Sequence, residues 1–196
     1  MSDIFVPSFV LARRAFFSRG GKMALSATAV ALLAGNEALA TSYNQTAAAS
    51  ATGDVDILNT ALGAEQEAIA AYQVGAESGL LKKPALDLAI AFQGHHKAHA
   101  DLLAGTVKKL GGSPAEAKKV SDYHFPTNQL KTGADVLRFA AGLEKGAVSA
   151  YLGAIPLFDN RDLAKAAGSI LGDEAMHWAV LRQALGEVPV PDAFVS

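Results

Sequence analysis

The chain has 196 residues, of which 51% are hydrophobic and 18% charged, so it can form a globular domain with a core and is not a disordered segment. The formal net charge of −2 provides no basic excess for nucleic acid and no polybasic patch for a membrane surface. The absence of cysteine excludes disulfides, thiolate metal ligands and iron–sulfur clusters, so any metal must be held by His, Asp or Glu.

Residues 1–40 are predicted to be an export signal and not part of the fold. The segment from Arg13 to Phe17 reads Arg-Arg-Ala-Phe-Phe and resembles a twin-arginine signal motif. The apolar stretch from Met23 to Ala34 is about 12 residues long, whereas a bilayer span needs roughly 20, so no stable membrane insertion is expected. Ala38-Leu39-Ala40 fits a cleavage site, which predicts a periplasmic chain beginning at Thr41. The alternative is a cytosolic protein with an apolar N-terminal helix.

The first half of the mature chain predicts two helices. Residues 41–53 are rich in Ser, Thr, Ala, Asn and Gly, which indicates a flexible lead-in. A first helix is predicted from Asp54, as its N-cap, to about Glu77. Its inward face recurs at steps of three and four residues: Leu58, Leu62, Glu65, Ile69, Tyr72 and Ala76. A second helix is predicted from Pro84 to about Leu110, where a Gly-Gly pair ends it.

A long connection over residues 112–132 follows the second helix. Ser-Pro-Ala-Glu, beginning at residue 113, fits a capping box with proline in the first turn, so a short helix is predicted over 114–120. Residues 122–130 contain a proline and are predicted to be a loop.

Two further helices are predicted in the second half. The third runs from its cap Thr132 to about Ile155, and the fourth runs from its cap Asn160 to about Leu185. Residues 187–196 are predicted to be an extended tail. The predicted fold class is therefore all-α, a four-helix bundle over residues 54–186.

An internal repeat relates the two halves. Residues 61–72 align with residues 140–151 at an offset of 79, with six of twelve positions identical. A nearly equal offset of 78 superimposes these pairs: Gly94 and Gly172, His96 and Glu174, His99 and His177, and Leu103 and Leu181. Two similar helical hairpins joined by a long crossover are typical of the ferritin-type bundle.

The predicted inward faces carry carboxylates and imidazoles at matching heights. Two helices supply one Glu each, the fourth supplies Glu and His at i, i+3, and the second supplies two His at the same spacing. A lone carboxylate on a buried face is costly unless something compensates it, and a bound metal would satisfy all these groups together. The candidate ligands are Glu65, His96, His99, Glu144, Glu174 and His177.

These residues resemble the ferritin-like superfamily of di-iron and di-manganese carboxylate proteins. In that pattern two helices give one Glu each and two give Glu-x-x-His, which Glu65, Glu144 and the segment Glu174–His177 match. The segment Ile170–His177, followed by Leu-Arg at residue 181, is similar to the last helix of exported ferritin-like proteins, including the desiccation-related group. The resemblance implies bound iron or manganese.

The second helix departs from the family pattern, because His96 stands where the family has a Glu that bridges two metals. A neutral imidazole does not bridge as a carboxylate does, so a single metal, an uneven pair or zinc are alternatives to a symmetric di-metal centre. His95 and His99 are also spaced i, i+4. The repeat favours His96 with His99 as the pair that faces inward.

Three functions are compatible with this pattern. The first is a redox protein whose iron or manganese reacts with dioxygen or peroxide in an oxidative-stress role. The second is a metal-binding or stress-protective protein without turnover, and the third is a scaffold with a degenerate metal site. No catalytic residue is assigned, and the state of assembly, including a homo-oligomer, is left open. Tyr72 and Tyr151 are predicted to pack in the core, and the alternatives are a hydrogen bond to a ligand residue or a role in electron transfer.

Overall fold

The computed structural model describes residues 48–195, with side chains described from residue 53, and the predicted export signal lies outside these residues. Four helices make up most of the described chain: α1 (Ala48–Glu77), α2 (Ala85–Lys109), α3 (Gly133–Ala154) and α4 (Arg161–Ala184). Three short 3-10 turns lie in the connections: Val120–Asp122, Thr127–Gln129 and Ile155–Leu157. Residues 187–195 contain bends and neither helix nor strand.

The helices pair as two hairpins. The most extensive packing joins α1 to α2 and α3 to α4, and the hairpins meet where α1 packs on α3 and α2 approaches α4. The described residues contain no strand, so the predicted all-α, four-helix class is confirmed. No helix among the described residues is both long enough and apolar enough to cross a bilayer.

Local sequence signals define three of the helix ends as predicted. Thr132 and Asp135 form a capping box at the start of α3, with the Thr132 backbone N–H donating to Asp135 Oδ2 at 2.8 Å. Asn160 caps α4 by accepting from the backbone N–H of Asp162 at 2.9 Å. Gly111 follows α2 with a φ of 80°, a conformation that glycine adopts without steric strain.

The core is divided by a polar layer. One apolar cluster contains Tyr72, Phe92, Leu137 and Leu181, and the other contains Leu62, Leu103, Tyr151 and Ile170. Each helix therefore contributes to both clusters, and its ligand-type residues lie between those contributions in sequence. The two clusters pack the helices together above and below the polar layer. This packing holds the polar side chains at mid-height of the bundle.

The predicted start of the first helix was wrong. The helix begins at Ala48, within the predicted lead-in, and Asp54 lies inside it instead of capping it. Asp54 is only 5% exposed, and its carboxylate accepts the backbone N–H groups of Asp159 at 3.0 Å and Asn160 at 3.2 Å. A residue suited to capping its own helix thus binds the backbone just before α4.

The short helix predicted over residues 114–120 is also absent, and residues 112–119 form no regular structure. The side chain of Asn59 donates to the carbonyl of Ser113 at 3.0 Å and accepts from the backbone N–H of Ala115 at 2.8 Å. Gln66 donates to the carbonyl of Ala115 at 2.9 Å. These bonds with α1 satisfy the carbonyls of Ser113 and Ala115, which a helix would have paired internally, and an N–H that would have been unpaired in its first turn.

Candidate metal centre

The structure brings all six candidate ligands together in the polar layer. Five of them are at most 3% exposed, and His99 retains 14% of its side-chain surface. They come from all four helices: Glu65 on α1, His96 and His99 on α2, Glu144 on α3, and Glu174 and His177 on α4. Of the two arrangements left open by the sequence, the structure shows the one in which His96 points into the core, whereas the His95 side chain is 51% exposed.

His96 lies at the centre of the layer. Its Nδ1 is 2.8 Å from Oε2 of Glu65, and its Nε2 is 3.2 Å from Oε1 of Glu144. One imidazole therefore connects carboxylates on α1 and α3, the two helices that carry the repeated Glu. His96, which departs from the family pattern, therefore contacts two of the other candidate ligands.

Glu174 faces the two remaining histidines. Its Oε2 is 3.3 Å from Nδ1 of His177, and its Oε1 is 3.0 Å from Nδ1 of His99. The second pair is close, yet its orientation makes no hydrogen bond. The carboxylate thus lies between an imidazole of its own helix and one from α2.

Two tyrosines hold the carboxylates from the opposite helix. The hydroxyl of Tyr151 on α3 donates to Oε1 of Glu65 on α1 at 2.6 Å, and the hydroxyl of Tyr72 on α1 donates to Oε1 of Glu144 on α3. Both tyrosines lie in the core, as predicted, and each also makes the hydrogen bond to a ligand residue that the sequence had left as an alternative. The signal for the hydrogen bonds was present in the repeat, which aligns the two tyrosines as it aligns the two glutamates.

Burial and neighbouring charges shift the ionisation of the imidazoles. Burial lowers the pKa of His96, but the carboxylates of Glu144 and Glu65 outweigh it and raise that pKa to about 10. The same opposition raises the pKa values of His99 and His177 to about 9. At neutral pH these side chains carry positive charge, which offsets the buried carboxylates.

The pKa values of the three buried carboxylates shift in different directions. Burial raises the pKa of Glu65, but its contacts with His96, His99 and Tyr151 outweigh this and hold the pKa below 4.5. The pKa of Glu144 is lowered in the same way, because burial is outweighed by the imidazoles of His177 and His96. At Glu174 burial prevails and the pKa is raised.

The donor set fits a divalent cation. Two overlapping groups of four each offer ligand atoms within 4.8 Å of one another: Glu65, His96, His99 and Glu174, and His96, Glu144, Glu174 and His177. Three buried polar atoms in these groups have no hydrogen-bond partner: Nδ1 of His99, Oε2 of Glu144 and Oε1 of Glu174. Buried polar atoms are almost always paired. Two of these three, Nδ1 of His99 and Oε1 of Glu174, lie 3.0 Å apart without forming a hydrogen bond, so a bound cation would complete the pairing in this layer.

A sequence model of the ferritin-like domain matches residues 53–187. The chain belongs to the ferritin-like domain family. None of the curated proteins matches it. In a conserved hypothetical protein from Mycobacterium tuberculosis the fold is similar, with a TM-score of 0.62 and 22% identity over 73% of this chain and 97% of that one.

A second solved structure has the same fold. It is the bacterioferritin-related protein from Bacteroides fragilis, described as a dodecameric thioferritin, with a TM-score of 0.60 and 23% identity over 69% of this chain and 86% of that one. The two solved structures have the same bundle fold, and the polar layer of this chain lies in the core of that bundle. Two further ligand-type residues lie at the edge of that layer: His95, which the sequence had left as an alternative to His96, and Asp173, which the sequence pattern had not singled out.

Proposed function

We propose that this ferritin-like domain binds iron or manganese in its core and serves a redox role in oxidative stress. The proposed ligands are Glu65, His96, His99, Glu144, Glu174 and His177. The observation that carries the proposal is the set of three orphaned buried atoms, on His99, Glu144 and Glu174, within a layer of carboxylates and imidazoles. Carboxylate and imidazole ligands suit iron and manganese, and zinc is the competing ion.

The protein side chains would each have a defined task. Glu174 belongs to both groups of four, so it is placed to contact either of two ions or to hold one ion centrally. Tyr151 and Tyr72 fix the orientation of Glu65 and Glu144 through their hydroxyl groups. A bound iron or manganese ion would supply electron-transfer chemistry with dioxygen or peroxide. The apolar clusters on both sides would limit the access of water to it.

Metal content measured by elemental analysis tests the binding proposal. We expect one or two iron or manganese ions per chain in the wild type. Glu174→Gln removes a ligand of both groups while keeping its shape, so it should weaken binding by roughly tenfold or more. Glu67→Gln on the exposed face of α1 is the matched control and should bind as the wild type does. A folded wild type that takes up neither ion under loading conditions would contradict the proposal.

The redox role needs a separate measurement. Loaded wild type should consume hydrogen peroxide or dioxygen faster than the Glu174→Gln variant at equal protein concentration. If the loaded wild type is no faster than the free ion, the protein binds metal without turnover, which is the non-catalytic function considered above.

A metal-free scaffold is the second candidate, and the position of His96 favours it. Both ring nitrogens of His96 contact carboxylates, Glu65 at 2.8 Å and Glu144 at 3.2 Å, so a protonated imidazole supplies part of the positive charge that a cation would bring. In a scaffold, metal would not raise the thermal stability. Conversely, the scaffold function would be excluded if metal raised the thermal stability of the wild type and Glu174→Gln abolished that increase.

We also propose that the chain is exported to the periplasm by the twin-arginine route, on the basis of the motif at Arg13 and Arg14. Replacing both arginines with lysine should retain the protein in the cytoplasm. Cell fractionation measures this, and N-terminal sequencing of the exported protein should begin at Thr41. Export that is unaffected by the double replacement would contradict this route.

A homo-oligomer is a further proposal, supported by the dodecamer described for the Bacteroides fragilis protein of the same fold. Sedimentation velocity of the purified protein measures it directly. A single species with the mass of one chain would overturn it.

A further inference from the structure

A second group of ligand-type side chains lies at the edge of the core site, where α2 approaches α4. His95 and His99 are spaced i, i+4 on α2, and Asp173 and His177 have the same spacing on α4. The repeat offset of 78 superimposes these pairs, His95 on Asp173 and His99 on His177. The arrangement therefore follows the internal symmetry of the bundle and is not an isolated surface contact.

The ligand atoms of His95, Asp173 and His177 lie within 4.8 Å of one another, close enough to bind one cation, and the two ring nitrogens form a hydrogen bond with each other. Nδ1 of His95 is 2.8 Å from Nε2 of His177, and Oδ2 of Asp173 is 3.1 Å from the first nitrogen and 3.3 Å from the second. Bonds of about 2.0–2.1 Å in tetrahedral geometry place neighbouring ligand atoms about 3.3 Å apart. Nε2 of His99 is a neighbour of the group, 3.4 Å from the same Asp173 oxygen.

We propose that His95, Asp173 and Nε2 of His177 form a loading site that captures a first-row divalent cation from solvent and passes it to the core. Two imidazoles and one carboxylate suit such ions. The exposure of the side chains falls from 51% at His95 through 25% at Asp173 to 2% at His177, so ligand atoms extend from solvent to the buried layer. The loading role rests on the proposed metal binding in the core.

The loading site and the core share one ring. Nε2 of His177 faces His95 and Asp173, whereas its Nδ1 lies 3.3 Å from Glu174 in the core. A cation that binds the ring displaces its extra proton, and the neutral imidazole then has one free lone pair and one N–H, so it binds a single cation at a time. An ion at the loading site must therefore leave Nε2 when Nδ1 takes up the core ion, and the ring proton moves from Nδ1 to Nε2 in the same step. Loss of the loading site should slow the filling of the core without changing the final occupancy of the core.

Stopped-flow absorption with Co²⁺ as the probe measures this filling in the metal-free full protein, and equilibrium dialysis with metal analysis gives the final content. The variants are His95→Gln and Asp173→Asn. Their matched controls are His124→Gln, an exposed histidine in the crossover, and Asp101→Asn, an exposed aspartate on α2. Glu144→Gln disables the core alone.

We expect the two variants of the loading site to fill roughly tenfold more slowly or worse, while their final Co²⁺ content and both controls match the wild type. Filling of His95→Gln and Asp173→Asn at the wild-type rate would overturn the loading site and leave the core proposal intact. If Glu144→Gln retains Co²⁺ that His95→Gln loses, the ion binds at the edge and the core proposal fails. A wild type that binds no Co²⁺ at all would overturn both.

Discussion

At the scale of single residues, the positions of the polar groups were predictable and their partners were not. Glu65 and Glu144 interrupt apolar faces at a helical period, and that pattern alone indicates burial at mid-height. Periodicity does not say which side chain on a neighbouring helix completes a hydrogen bond. A tyrosine on each of α1 and α3 donates a hydrogen bond to a glutamate on the other helix. These reciprocal bonds depend on how the helices are rotated about their axes, which is determined by packing.

The hydroxyl of Tyr151 should stabilise the metal-free fold through Glu65. Tyr151→Phe keeps the ring in its apolar cluster and removes the donor that lies 2.6 Å from the buried carboxylate. The free energy of unfolding should fall by about 1–3 kcal/mol, because a buried acceptor loses a partner. Urea denaturation measures this. Tyr123→Phe in the crossover is the control, and an equal loss there would show that the effect is not specific to the site.

The stability of the metal-free protein should depend on pH in the alkaline range. The pKa of His96 rises from 6.5 to about 10, and those of His99 and His177 rise to about 9. Because the folded pKa values are raised, this stabilisation is complete below about pH 6.5 and is lost as the pH passes through about 9 and 10. The free energy of unfolding should therefore decrease over that window.

Urea denaturation of metal-free protein across this pH range provides the measurement. His124→Gln, whose replaced side chain is exposed and far from the carboxylates in sequence, should show the same decrease as the wild type. A free energy of unfolding that stays constant from about pH 7 to about pH 10 would contradict the charge arrangement described for His96, His99 and His177.

At the scale of the helices, the hydrophobic periodicity and the capping, glycine and proline residues predicted the number of helices, their order and most of their ends. The caps Thr132 and Asn160 were found from the sequence because each acts on the backbone two or three residues further on. Both errors involved side chains that bind the backbone far along the chain. Asp54 binds the segment before α4, and Asn59 binds the crossover, so local signals for a cap and a capping box were overridden by tertiary contacts.

The contact made by Asp54 should contribute measurably to the joining of α1 and α4. Asp54→Ala removes the acceptor of two backbone N–H groups, those of Asp159 and Asn160, at a nearly buried position. We expect a loss of about 1–3 kcal/mol in the free energy of unfolding, measured by urea denaturation. Asp56→Ala, two residues away on the exposed face of α1, is the control. Equal losses in the two variants would contradict this role.

At the scale of the whole molecule, the polar layer is the weak part of an otherwise apolar bundle. Five side chains that are at most 3% exposed carry ionisable groups, and burying such groups opposes folding unless they are compensated. The three orphaned atoms show that the side chains compensate one another incompletely. The family fold could be read from the sequence, but the degree of compensation could not, since it depends on distances of a few tenths of an ångström.

Metal binding should therefore stabilise the entire fold. A ligand that binds only the folded state adds about 2.7 kcal/mol at a free concentration about 100 times its Kd. The Tm of the wild type should rise when iron or manganese is added and return to its starting value with a chelator, measured by circular dichroism. Glu174→Gln should show little increase, since it removes one of the orphaned oxygens and a ligand common to both groups of four. If the Tm of this variant rose as much as that of the wild type, the stabilising ion would bind outside the core, because the variant lacks a core ligand.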